Sequence, residues 1–115
     1  MSVTASIEQK DGCALVVFDG RITLGSSLSL VQAQIRSLIS GGVHKLVFDL
    51  TGVELIDSAG LGMLVYTYGS LAAKGGTLRL CGVAPRVLSL LELTKTNTLL
   101  AVDAARDESL AALRR

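Results

Sequence analysis

Asp49 to Ser70 reads "DLTGVELIDSAGLGMLVYTYGS": the end of a strand-like run, an acid and a serine, then a glycine-punctuated apolar stretch. Apolar residues after Ser58 recur at helical rather than alternating spacing. Leu61, Leu64, Val65, Tyr68, Leu71 and Ala72 fall at i, i+3 and i+4 steps and predict the core face of a helix. Ala59, Gly62, Met63, Tyr66 and Ser70 fall on the opposite side, which carries no charge although an outward helix face is ordinarily polar. Before the pair Asp57-Ser58, "HKLVFDL" (His44–Leu50) predicts a strand and "TGVELID" (Thr51–Asp57) a loop. A strand, a loop and a helix in this order make half of a β-α-β crossover.

The flanking sequence repeats the alternation. "VTASIEQK" (Val3–Lys10) and the continuously apolar "CALVVFD" (Cys13–Asp19) are joined by Asp11-Gly12, a turn signal, and predict a hairpin. A helix is expected from Ser26 or Ser27, either serine being a suitable cap, with Leu28, Val31, Ile35, Leu38 and Ile39 on one face and Gly41-Gly42 as its stop. Downstream, "KGG" (Lys74–Gly76) ends the Ser58 helix, and "TLRLCG" predicts a strand. "APRVLSLLEL" predicts a helix with Pro85 in its first turn, "LLAVDA" a short strand, and "DESLAALRR" a last helix begun by acids and finished by arginines. The order is β-β-α-β-α-β-α-β-α, which predicts an α/β fold: a mixed sheet, antiparallel in its leading hairpin and otherwise parallel, with about four helices.

At 115 residues, half of them hydrophobic, the chain is expected to form one domain over residues 1–115. A formal net charge of +1, scattered basic residues and only four aromatics argue against nucleic acid. No apolar run approaches the ~18 residues of a spanning helix, and no signal peptide is evident, so no membrane insertion and a cytoplasmic location are expected. Cys13 and Cys81 have no CxxC spacing and sit in apolar strands, reading as buried reduced thiols.

Catalytic chemistry finds few groups to use. His44 is the only histidine, and it starts the strand that Ser58 follows, so the two are expected roughly 20 Å apart across seven strand residues. A Ser-His-Asp triad needs them in hydrogen-bond contact, and "IDSAG" is not a GxSxG elbow. No His, Cys and carboxylate set has metal-ligand spacing, and "GLG" belongs to no GxGxxG or Walker pattern, so no metal, cofactor or enzymatic activity is expected. Helix packing is the simpler use for those glycines. Ser58 itself has two readings. It could cap its helix by accepting first-turn N–H groups, or it could be a phosphorylation site, where a charge of about −1.5 to −2 would sit at an exposed helix mouth beside Asp57.

The run from "LVFDL" through "DSAGLG" to "GGTLRLCGVAPRVLSLLELT" resembles the STAS domain, especially the stand-alone anti-sigma factor antagonists, and the resemblance covers nearly the whole chain. It implies that Ser58 is phosphorylated by an anti-sigma factor with serine kinase activity, that the unphosphorylated form binds that kinase and frees the sigma factor, and that a serine phosphatase resets the cycle. Relatives often carry a "GELD"-like acidic loop after the second strand that helps engage the kinase. This chain has "GRIT", with Arg21 and Thr23 at those places, and Ala59 where many relatives have a second serine. The expected partner surface is therefore Arg21, Thr23, Asp57, Ser58, Ala59, Gly62, Met63 and Tyr66. The alternative is a non-phosphorylated STAS accessory subunit of a transporter or other multiprotein complex.

Overall fold

A computed structural model describes residues 2–114. Its elements run β1 Thr4–Lys10, β2 Cys13–Ile22, α1 Ser26–Ser40, β3 Lys45–Ile56, α2 Ser58–Ala72, β4 Thr77–Cys81, α3 Pro85–Leu93, β5 Ala101–Asp103 and α4 Arg106–Leu113, with one 3-10 turn at Thr96–Thr98 that the sequence pattern did not suggest. The alternation read from hydropathy is the one observed. The five strands lie in the order β1-β2-β3-β4-β5, antiparallel between β1 and β2 and parallel elsewhere.

The hairpin turn has both Asp11 (φ 53°) and Gly12 (φ 79°) in the left-handed region, as a two-residue primed turn requires. Strand register then stacks apolar residues across the sheet. Ala14, Leu46 and Leu78 align, as do Val16, Phe48 and Leu80, and all six are buried against α1, α2 and α3. Phe18 meets Phe48 edge-on with ring centroids 4.9 Å apart. Each such fully buried large side chain is worth about 1.5–3 kcal/mol. The alternate residues Leu15, Val47 and Cys81 face the other way, where Leu113 and Leu110 of α4 cover them. Three helices thus share one face of the sheet, and α4 has the other to itself.

Three expectations change. The segment Thr51–Ile56 is strand rather than loop, because β2 also continues, through irregular register, and pairs with it as far as Ile22↔Ile56. Thr-Gly at 51–52 reads locally as a turn, and the neighbouring strand overrides that preference. Ser26 and Ser27 lie inside the first turn of α1, whose N-cap is Gly25 with no side-chain cap bond. Cys13 is half-buried, while Cys81 is fully buried. Arg114 follows α4 as its C-cap, and Arg115, expected to finish that helix, lies outside the described residues.

Candidate functional site at the mouth of helix α2

Strand β3 delivers the chain to the N-terminus of α2, and Asp57 organises the transition. Its backbone is extended (φ −105°, ψ −170°), and its N–H donates to the Ile22 carbonyl at 3.2 Å, continuing the strand pairing by one bond. One carboxylate oxygen accepts the Gly60 N–H at 2.9 Å, which is the helix cap; the other accepts the Leu24 N–H at 2.9 Å. The bonds from Leu24 and Gly60 hold the Asp57 carboxyl below its ordinary pKa, leaving it ionised. A single side chain therefore ties the loop after β2 to the first turn of α2.

Gly60 is required here for space. A Cβ at that position would collide with the Ile22 carbonyl oxygen, so the helix mouth could not seat against the end of β2. Gly62, its companion in "GLG", meets nothing within 4 Å and is exposed, so packing explains the first glycine and not the second.

Ser58 is the first helical residue, is exposed, and is not the cap. Asp57 performs that role, so the capping explanation of the serine fails. No hydrogen bond from its hydroxyl exists among the described residues, and the group stands free at the positive end of a helix dipole. Thr23 is half-buried next to the tied Leu24, and Leu24 itself is 82% exposed, a residue that no sequence pattern singled out. Arg21 is exposed and pairs with Glu54 at 3.5 Å, a solvated contact of little energetic consequence.

Along α2 the outward face differs from the expected one. Met63 is only 2% exposed and belongs to the core, whereas Tyr66 is 61% exposed, Gly62 is exposed and Ala59 is half-buried. The buried members are Gly60, Met63, Leu64, Thr67 and Leu71. Leu61, Val65 and Tyr68, expected at the centre of the core face, flank it half-buried, and Ala72 is exposed. The helix is apolar nearly all round, so hydropathy cannot set its rotation. Packing against β3, β4 and α1 sets it instead, with Met63 and Thr67 lining a hollow shared with Ile35 and Ile39 of α1. Thr67 tolerates burial because its hydroxyl donates to the Met63 carbonyl at 2.8 Å. Met63 is therefore withdrawn from the candidate partner surface.

His44 lies exposed just before β3 and Ser58 just beyond its other end, with the twelve residues of that strand between them. Among the described residues no group of three or more His, Cys, Asp or Glu side chains is placed to hold a metal ion, and no helix is long and apolar enough to cross a membrane.

The family model described as the STAS domain matches residues 4–109. The anti-sigma-F factor antagonist RsfB of Mycobacterium tuberculosis is 30% identical over 97 residues, covering 83% of this chain and 79% of the relative. An anti-sigma factor antagonist from Mycobacterium paratuberculosis superposes with a TM-score of 0.86 at 27% identity, covering 99% of this chain and 96% of that one. The antagonist SpoIIAA in its unphosphorylated form superposes at 0.84 with 17% identity, over 96% of both chains, a likeness of fold.

Proposed function

This chain belongs to the STAS domain family, and we propose that it acts as an anti-sigma factor antagonist: it binds an anti-sigma factor kinase while Ser58 is unmodified and releases it once Ser58 is phosphorylated. The observation that carries the reading is the free, exposed hydroxyl of Ser58 beside a carboxylate that already performs the capping. Losing that hydroxyl to a phosphoryl group costs the fold no hydrogen bond. The helix N-terminus tolerates the added anion, so the domain persists while its surface changes sign.

Release follows from desolvation. A partner covering the mouth of α2 buries a neutral hydroxyl in one state and a near-dianion beside the ionised Asp57 in the other, and the second costs several kcal/mol more. The docking surface consists of Thr23, Asp57, Ser58 and Ala59 at the helix mouth, Gly62 and Tyr66 along the outer side of α2, and Arg21 at the end of β2. Arg21 and Thr23, in place of acids, set which kinase is recognised, and a serine phosphatase returns the protein to its binding state.

The test is incubation with the cognate anti-sigma factor and ATP, followed by mapping of the phosphate. Modification confined to Ser58, absent from Ser58→Ala, together with loss of the complex on modification, is the expected result. Stable binding to a transporter ATPase with Ser58 unmodified, and no complex with the anti-sigma factor, would replace this reading with that of an accessory subunit.

A further inference from the structure

We propose that α4 is a detachable cover, held over the second face of the sheet by one small apolar patch and a set of polar contacts, which opens independently of the remaining fold and bares the strip Leu15–Val47–Cys81. The helix has eight residues, too few to persist alone in water. Only Ser109 and Leu113 of it are buried, with Leu110 half-buried beside them, whereas α1 buries Leu28, Val31, Ile35 and Ile39. Apolar attachment is confined to one patch, where Leu110 and Leu113 cover Leu15, Val47 and Cys81.

Its fixed points are hydrogen bonds and charges from β3 and β5. Arg106 reaches Asp49 of β3, with Nε at 2.9 Å and a terminal nitrogen at 2.8 Å. The Ser109 hydroxyl donates to Asp103 of β5 at 2.7 Å, and Arg79 of β4 holds that same carboxylate through two bonds of 2.7 and 2.9 Å. At the far end Lys45 donates to the Leu113 carbonyl at 2.7 Å. Arg106, Asp49, Ser109 and Lys45 regain water when the helix lifts, while Arg79 keeps Asp103, so the polar attraction opposes opening less than apolar contact of similar extent would.

Packing beside the helix is open as well. A hollow of about 370 Å³ lies between Lys10, Cys13 and Leu15 of the hairpin and Leu110 and Leu113 of α4. Val47 and Cys81 beneath the helix have no exposed surface, so the closed state hides both completely. An apolar strip that is hidden by a polar latch is available to solvent or to a partner only in the open state, and Arg106–Asp49 sets how often that state occurs.

The Cys81 thiol reports the opening. In Cys13→Ser it is the only thiol in the chain, and its alkylation by iodoacetamide can be followed at urea concentrations below the unfolding transition. Independent opening gives a Cys81 rate that is nearly flat in urea and much faster than global unfolding permits. Arg106→Gln then raises it about tenfold and keeps it nearly flat in urea, while the stability of the domain falls by only the matching ~1.4 kcal/mol. Amide exchange on the unmodified protein provides the same readout without substitution: α4 exchanges faster than Phe48 and Leu80 of the central strands. Cys81 alkylation with the full urea slope of global unfolding, or α4 amides as protected as those of β3 and β4, would overturn the proposal and make α4 part of the cooperative core.

Discussion

The Asp57 carboxylate accepts the backbone N–H of Leu24 at 2.9 Å across 33 residues of sequence. The bond couples the loop after β2 to the helix that bears Ser58, so the two parts of the proposed partner surface move as one. Replacing Asp57 with Ala removes this bond and the cap on Gly60 together. The expected result is a lower melting temperature and an acceleration of Leu24 amide exchange greater than that of the β3 amides, which follow only the loss of global stability. Asp57→Asn retains one acceptor oxygen and should fall between. Unaltered Leu24 exchange in Asp57→Ala would show that the loop is held by something else.

Two carboxylates give the protein a defined acid limit. Asp57 is lowered by its bonds from Leu24 and Gly60. At Asp49 burial works upward, but the hydrogen bonds from Thr51 and Arg106 and the Arg106 charge prevail, and the pKa is again lowered. A carboxyl whose folded pKa lies below its unfolded value contributes stability that is fully present above the unfolded value, about 4, and is lost as pH falls through the folded one. Urea unfolding should therefore give a constant free energy on this account above about pH 5 and a falling one below about pH 4. Asp57→Asn should flatten part of that fall. A decline beginning near pH 6 would point to a different titrating group.

Ser58 makes no capping bond, which separates its structural from its regulatory effect. Ser58→Ala should melt within about 0.5 kcal/mol of the parent, as surface changes do. It should bind the anti-sigma factor and resist release by ATP. Ser58→Asp should fold equally well and bind poorly. Strong destabilisation by the alanine variant would mean that the hydroxyl has a structural partner after all.

Isolated protein is expected to turn over no ester, phosphate or nucleotide substrate, since the only histidine lies a whole strand away from Ser58. An activity that survives repurification and disappears in Ser58→Ala would contradict this.

The sequence was informative where a feature repeats and poor where one contact decides. Element order was readable because apolar runs, helical spacing and the glycine and proline stops between them mark most segments. The strand Thr51–Ile56 was not, since its Thr-Gly opening favours a turn and only the parallel partner β2 makes it a strand. Asp57 and Ser58 were visible as an acid-serine pair at a helix mouth, but which of them caps depends on a backbone angle at Asp57. The role of Leu24 left no trace in the pattern, because its backbone rather than its side chain makes the tie. On α2 the uniform hydropathy hid the rotation, and Met63 was placed on the wrong side for that reason.

That rotation yields the sharpest contrast available on this surface. Met63 and Tyr66 are three residues apart, and both were expected outward, yet the first is 2% exposed and the second 61%. Glutamate at Met63 puts a charge among Ile35, Ile39 and Thr67, which line the same hollow, and should cost roughly 3–5 kcal/mol or prevent folding. Tyr66→Glu places its charge in water and should leave the melting temperature near that of the parent. If the outer side of α2 is the docking surface, Tyr66→Glu loses the anti-sigma factor while remaining folded by circular dichroism. A Tyr66→Glu protein that binds at parental affinity would confine the interface to the helix mouth and the loop after β2. A Met63→Glu protein of normal stability would show instead that the helix is rotated from the position described, and would return Met63 to the partner surface.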